Sequence, residues 1–324
     1  MKKYIALLAL VVVLIGLLSA ANYWWQNTSK PVSNQREDVD FLITKGSSAG
    51  KVGLQLQQEG LIRSATAFRL YVQLTGKSKS IQAGEYSLSA NYSLIKMVDI
   101  LSKGPIEVWV TIPEGLRREE VALRFADGLG KKDKGPFVEE FLSSSKGKEG
   151  YLFPDTYLFP KTGTAQQVVN KMLTTFDNKI EPFTKDISPS SLSKNEIVTL
   201  ASIVERESRS DSERPVVAGI LLNRIDIGMG LGADATVQYA VGTAENWWPI
   251  LSKDDLATAS PYNTYRFRGL PPTPIANPGI SSLRAAIFPE ESDYLYYLHD
   301  AKGQIYYATT LAQHNENIRK YLGK

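Results

Sequence analysis

The sequence predicts an α+β protein in three parts: an N-terminal single-pass transmembrane helix, a small α/β module and a larger mixed α+β domain. Three observations carry this. Residues Tyr4 to about Ala21 are almost wholly apolar; short β-prone runs alternate with helical periodicity up to about residue 105; and long helical patterns then mix with Pro- and Gly-rich loops to the end of the chain. With 324 residues, 43% hydrophobic and 22% charged, the chain has the composition of a folded globular protein with room for an anchor and one or two cores. The net charge is +3 with no basic cluster, so a nucleic-acid partner is not expected. There is no cysteine, which excludes disulfides, thiolate catalysis and Cys-type zinc sites.

Residues 1–25 form the expected anchor. Lys2 and Lys3 precede the apolar run, and Tyr23, Trp24 and Trp25 follow it. At roughly 1.5 Å per residue a helix from Tyr4 to Trp25 spans a hydrocarbon core of about 30 Å. The lysines place the N-terminus in the cytoplasm, and the aromatics suit the far interface. Ser19-Ala20-Ala21 also suits signal cleavage, but the length and aromatic belt favour a retained anchor. Residues 26–38 are polar, contain Pro31, and read as a linker.

Residues 39–105 follow the order strand, helix, helix, strand, helix. Phe41-Leu42-Ile43 is a strand; Ser47 or Ser48 caps a helix through Val52 and Leu56; Ala65 to Leu74 is a second helix. Gly84 to Leu88 is a strand, and Ser93 opens a helix with Leu94, Met97, Val98 and Leu101 at helical spacing. This pattern resembles, weakly, the LysM-like module that accompanies wall-cleaving domains. Residues 106–324 form the large domain, beginning with a strand, Glu107 to Ile112, and a helix through Val121 and Phe125.

Ser193-Lys194-Asn195-Glu196 fits a capping box for a helix running to about Ser208. Ile197, Leu200, Ile203 and Val204 define its apolar face. Glu207 falls about 30° from the centre of that face and Glu205 about 130° away, so the two acids point in different directions and only Glu207 is drawn inward. Desolvation there raises its pKa, and a carboxylic acid kept protonated near neutrality can donate to a leaving glycosidic oxygen. The bland alternative pairs both acids with Arg206, Arg209 or Arg214, and helical geometry alone leaves both readings open. Downstream, Asp234-Ala235-Thr236-Val237-Gln238, Pro261-Tyr262-Asn263-Thr264-Tyr265 and the Pro-rich Gly269 to Gly279 supply rigid turns, flat rings and amides suited to a sugar groove.

These blocks, with Gly150-Tyr151-Leu152-Phe153-Pro154-Asp155-Thr156-Tyr157 and Tyr294 to Asn315, resemble the endolytic murein transglycosylase (YceG-like) family over most of the chain after the anchor. The resemblance implies Glu207 as sole catalytic acid and base of a lytic transglycosylase cutting peptidoglycan between N-acetylmuramic acid and N-acetylglucosamine. It implies no cofactor or metal, and it implies glycan strands and peptidoglycan synthases as partners at the outer face of the cytoplasmic membrane. Asn263, Tyr265, Asp234, Gln238 and Asp155 are the candidates for orienting the glycan. Two departures stand out: the family's Asp-Pro-Thr reads Asp234-Ala235-Thr236, and the strand before His314-Asn315 reads Tyr307-Ala308-Thr309-Thr310. Altered loop rigidity and subsite contacts are expected from them, without loss of chemistry.

His299 and His314, the only histidines, lack zinc-ligand spacing. No serine sits in a Gly-x-Ser-x-Gly context. Trp247-Trp248-Pro249 suits a carbohydrate platform, although core packing is the commoner role of such a pair. The competing function is a membrane-tethered, non-catalytic peptidoglycan-binding scaffold.

Overall fold

The computed structural model describes residues 2–183, 185 and 192–323, with side chains from residue 10 onward. The fold is mixed α+β, in two compact units: Met1–Val110 with Leu158–Thr162, and Thr111–Tyr157 with Gly163–Lys324.

The first unit opens with α1 (Lys2–Thr28). The expected anchor falls partly on residues 1–9, whose side chains lie outside the described residues. Among the described residues no helix is long and apolar enough to cross a membrane. Trp25, expected at a membrane interface, stacks on Tyr71 with ring centroids 5.5 Å apart. The stretch read as a linker is tied down: Leu94 N–H donates to the Ser29 carbonyl, and the Arg63 guanidinium donates twice to the Pro31 carbonyl.

Strands β1 (Asp38–Ile43) and β2 (Gly84–Ser89) pair antiparallel, Asp38 opposite Ser89 and Ile43 opposite Gly84. Between them run α2 (Ala49–Gln58) and α3 (Ala65–Leu74), and α4 (Leu94–Lys103) follows. Each helix starts where the side chain of a serine, Ser48, Ser64 or Ser93, accepts a backbone N–H of the first turn. The inward faces meet in one core of Phe41, Leu56, Phe68, Tyr86, Met97 and Leu101. Strands β3 (Glu107–Thr111) and β4 (Thr156–Pro160) complete a sheet of order β1-β2-β3-β4.

In the second unit α5 (Arg118–Gly128), α6 (Gly135–Ser144) and α7 (Ala165–Ile180) pack in succession. Next come α8 (Lys194–Glu207), whose core Phe176 and Ile180 of α7 join, then α9 (Arg214–Asp226), α10 (Asp234–Val241), a helical turn α11 (Lys253–Leu256) and α12 (Ile280–Ile287). The hairpin β5 (Tyr296–His299) and β6 (Ile305–Ala308) and helix α13 (Leu311–Asn317) close the chain. The capping box at Ser193 forms as the sequence requires. Burial of α8 differs from the one-faced expectation: every residue from Ile197 to Val204 is buried, Thr199 and Ser202 included. α12, α9 and α10 all pack on it, so no solvent face remains. α9 passes so close to the following loop that a Cβ on Gly219 would sit 2.2 Å from the Glu290 carbonyl, which only glycine permits.

Asn277, fully buried, ties three remote segments together. Its Oδ1 accepts the N–H groups of Gly150 and Leu152, each at 2.9 Å. Its Nδ2 donates to the Leu116 carbonyl and to Glu149 Oε1. Gly150 holds φ +85°, and a Cβ there would strike Pro274, so the 150 segment and the Pro-rich loop meet backbone to ring. Burial pushes the Glu149 carboxyl up to about 8, with the charge of Glu119 adding to the effect.

Asn277→Ala leaves the buried Gly150 and Leu152 amides without their acceptor and takes one donor each from the Leu116 carbonyl and Glu149, which keep the amides of residue 277 and Arg118. A loss of about 3 kcal/mol is expected, read as a fall in melting temperature of about 2–4 °C per kcal/mol. Glu149 gives a pH signature. Its folded pKa lies above the usual 4.5, so the stability it contributes is complete below that value and is lost as pH rises through about 8. Glu149→Gln, which keeps an acceptor for Asn277 and removes the ionisation, should flatten the decline in melting temperature across this range. Parallel thermal melts of both proteins against pH check this.

Candidate active site

Glu207 is the last residue of α8, and its carboxyl faces a pocket of about 470 Å³. The walls come from separate elements: Arg224 near the end of α9, Gly230 and Gly232 in the following loop, Asp234 at the start of α10, Tyr265, Tyr297 of β5 and His314 of α13. The hairpin is held in place by α9. Asn223 Nδ2 donates to the carbonyls of Ser292 and Tyr294, and the Arg224 guanidinium donates to those of Leu295 and Leu231.

Tyr297 donates its hydroxyl to Glu207 Oε2 at 2.9 Å. Burial raises the pKa of Glu207 above the usual carboxylate value. The nearby charge of Asp234 adds to the rise, while the Tyr297 hydroxyl, the Ala235 amide and His299 oppose it. Burial and the Glu207 charge push the Tyr297 phenol well above its ordinary range, so it stays a donor. The carboxyl is therefore stabilised in its neutral form by desolvation, yet it keeps hydrogen-bond donors ready for the anion.

Glu205, two residues earlier, has a different environment. The helical wheel placed it outward. Its side chain is only 6% exposed and pairs with Arg214 at 2.9 Å, and its other oxygen accepts the Gly279 amide at 2.9 Å. The wheel failed here because α8 has no solvent side, so an acid off the apolar face meets protein and requires a cation. Of the two readings the sequence left open, Glu205 follows the ion-pair one and Glu207 sits in a pocket with no ion-pair partner among the described residues.

Of the candidate glycan-orienting residues, Asp234 and Tyr265 lie in the pocket with Glu207, and Tyr265 donates to Asp234 Oδ1 at 2.6 Å. The others lie elsewhere. Asn263 is fully buried, donating to the Leu256 and Thr258 carbonyls and accepting the Tyr265 amide; it shapes the loop that presents Tyr265. Gln238 donates to the Pro249 carbonyl. Asp155 accepts the Thr156 amide and pairs with Lys179. The Trp248 face is covered by Arg206 at 3.8 Å and its indole N–H donates to Glu120, which is a packing arrangement. His299 bonds Glu213 at 3.0 Å. Among the described residues no group of three or more His, Asp or Glu is placed to hold a metal ion.

Tyr297, Arg224 and His314 were not among the site residues expected from sequence. His314 stacks on Tyr296, and burial lowers its pKa, as does Arg224; its only signal in the sequence was its place in the last shared block. Tyr297 is one of several tyrosines in its strand, and nothing in the strand pattern marks it as the one that meets Glu207.

Comparisons with known proteins agree with this assembly. Residues 41–320 match the model of the YceG-like family. The chain is 31% identical to the endolytic murein transglycosylase of Bacillus subtilis (strain 168), over 94% of this chain and 91% of that protein. It is 27% identical to the endolytic murein transglycosylase of Streptococcus pneumoniae serotype 2 (strain D39), over 96% of this chain but 64% of the streptococcal protein. A crystal structure of a yceG-like protein from Listeria monocytogenes superposes with a TM-score of 0.58 at 31% identity, covering 87% of this chain and 99% of that one. On the extent of the match and the shared fold, the chain belongs to the YceG-like family.

Proposed function

We propose that the protein is a membrane-anchored endolytic lytic transglycosylase that cuts the bond between N-acetylmuramic acid and N-acetylglucosamine in peptidoglycan strands. The observation that carries this reading is the Glu207 carboxyl, desolvated in an open pocket and bonded to a tyrosine hydroxyl in place of a cation. The names of the bacillar and streptococcal relatives support the same activity.

Glu207, protonated, gives its proton to the glycosidic oxygen as the bond to C1 breaks. The leaving glucosamine residue departs with a free hydroxyl, and C1 of the muramyl residue becomes cationic. The Glu207 carboxylate, held by Tyr297 and the Ala235 amide, then takes the proton of the C6 hydroxyl as that oxygen closes on C1. The product is a 1,6-anhydro end, and Glu207 is again protonated. No water enters, and one acid serves both steps. Asp234 and Tyr265 are placed to contact the sugar; Asn263 acts, in this reading, by setting the loop that presents Tyr265.

Two features support the membrane part. Leu10 to Leu18 of α1 expose their apolar side chains, Leu17 at 64% and Leu18 at 63%, as a lipid-facing helix would. In this reading the flanking lysines keep the N-terminus in the cytoplasm, and the groove works close to the site of glycan synthesis and the synthases. The β1-α2-α3-β2 order of the first unit, two antiparallel strands enclosing two helices, supports a LysM-like glycan-binding module there.

Product analysis on glycan strands separates the two acids. Glu207→Gln should abolish anhydro-muropeptides while melting at or above the wild-type temperature at neutral pH, because it removes a carboxyl whose ionisation burial opposes. Glu205→Gln should melt lower, since it leaves Arg214 short of a buried partner, yet still form anhydro ends. Anhydro products persisting in the first variant and vanishing from a folded second one would overturn the assignment.

The acid must be protonated to act, so activity falls as pH rises through the raised Glu207 pKa, on a limb above the usual carboxylate range. Tyr297→Phe removes a donor that favours the anion. That limb should move to higher pH, and kcat should drop about tenfold through the loss of one charge-assisted hydrogen bond. A full pH–rate profile of wild type and variant measures both.

A further inference from the structure

The pocket holds two carboxylates, and the mechanism above assigns a chemical step to only one of them. Asp234 opens α10, and its Oδ1 is fixed by the Tyr265 hydroxyl at 2.6 Å. Tyr265 is itself set by Asn263, whose Oδ1 accepts its amide. Thr264 locks the same loop to α10: its hydroxyl accepts the Ala233 amide and meets the Thr236 hydroxyl at 2.9 Å. A buried network of this kind is more than an exposed acid needs for stability, since exposed polar pairs contribute little. Asp234 Oδ2 takes no bond among the described residues. The adjacent residue, Ala235, offers its amide to Glu207, so one turn of one helix addresses both carboxyls.

Cleavage creates positive charge at C1, and the pocket needs a fixed negative group beside it. Glu207 becomes anionic only as it loses its proton, and it must then face the C6 hydroxyl. The other charged or titratable groups around Glu207 are Arg224 of α9, Arg206 of its own helix, His314 of α13, Tyr265, and Tyr297 and His299 of β5. None of these carries a carboxyl group. Asp234 does.

We propose that Asp234 is a second catalytic carboxylate of this pocket, accepting the acetamido N–H of the muramyl residue so that the acetamido oxygen closes on C1 as the leaving oxygen departs. This rests on the transglycosylase reading and adds a step to it. The C1–O bond to the leaving sugar breaks as Glu207 protonates that oxygen, and a C1–O bond to the acetamido carbonyl forms, giving an oxazolinium. The N–H, now acidic, stays hydrogen-bonded to Asp234. The C6 oxygen then attacks C1, the acetamido oxygen leaves, and Glu207 takes the C6 hydroxyl proton. Atoms and charge balance without water or any co-reactant.

Asp234→Asn tests this on two glycan substrates, native and chemically de-N-acetylated, with kcat, KM, product identity, melting temperature and the pH profile recorded. On native glycan kcat should fall about 10²-fold with KM nearly unchanged, anhydro ends still the product, and an unaltered melting temperature. The alkaline limb should move to lower pH, because a negative charge that holds the Glu207 proton has gone. On de-N-acetylated glycan the wild type should itself be slow, and the substitution should add little. Tyr265→Phe, which keeps the carboxylate and loses its fixing bond, should show a smaller kcat loss with the same substrate dependence. A wild-type kcat with an unmoved limb in Asp234→Asn, an equal loss on both substrates, or a loss tracking a lowered melting temperature would overturn the proposal. Absence of anhydro ends from the wild type would instead remove the transglycosylase reading itself.

Discussion

The second unit depends on buried side chains that grip the backbone of its Pro-rich loop. Ser202, in the middle of α8, accepts the Ile275 amide at 3.0 Å. Asn277 binds the 116 and 150 segments, and Glu205 accepts the Gly279 amide. A loop dense in proline has few amides of its own to form a ladder, so its position is fixed by the few that remain. Two of those amides, of Ile275 and Gly279, are met by side chains from the helix that carries the active acid, and that of Asn277 by the Leu116 carbonyl. Loop, helix and the segment that begins α5 therefore move as one body, and Glu207 sits at the end of a helix clamped along its length.

That clamp explains how two glutamates two residues apart take opposite roles. Glu205 points into the clamp and is satisfied there by Arg214 and a backbone amide. A buried acid paired in this way has a structural task. Glu207 lies just past the clamp, where the helix ends and the pocket begins. It meets a hydroxyl, an amide and a neighbouring negative charge. The same side-chain chemistry is thus set by environment alone to hold a loop in one case and to be poised to exchange a proton in the other.

Much of this was legible in the sequence because it rests on local signals. The serine caps, the 193–196 capping box, the spacing of Leu94, Met97 and Leu101, and the strand at Glu107 depend on residues close in the chain, and the helices and strands form at those positions. What escaped depends on contacts remote in the chain. The outward placement of Glu205 assumed a helix with a wet side, and that assumption fails once α9, α10 and α12 enclose α8. Asn263 and Gln238 look like glycan ligands by composition, but their amides are consumed by backbone carbonyls near them in the chain. Tyr297 reaches Glu207 across 90 residues, and a tyrosine in a tyrosine-rich strand gives no sign of which ring turns toward an acid.

The departure at residue 235 shows how such contacts change the meaning of a sequence difference. Read along the chain, alanine where the resemblance leads one to expect proline suggested altered loop rigidity. Within the fold, residue 235 lies in the first turn of α10, where proline is tolerated because the amide has no helical partner. Alanine keeps that amide, which lowers the Glu207 pKa and so favours its anion. The loop gains no evident freedom, since Thr236 and Thr264 still join α10 to the Tyr265 segment. What changes is the number of donors available to the active carboxylate, which favours the anion and opposes the rise that burial and Asp234 impose. The balance between these opposing effects, and not the stiffness of the turn, is the property that this position controls.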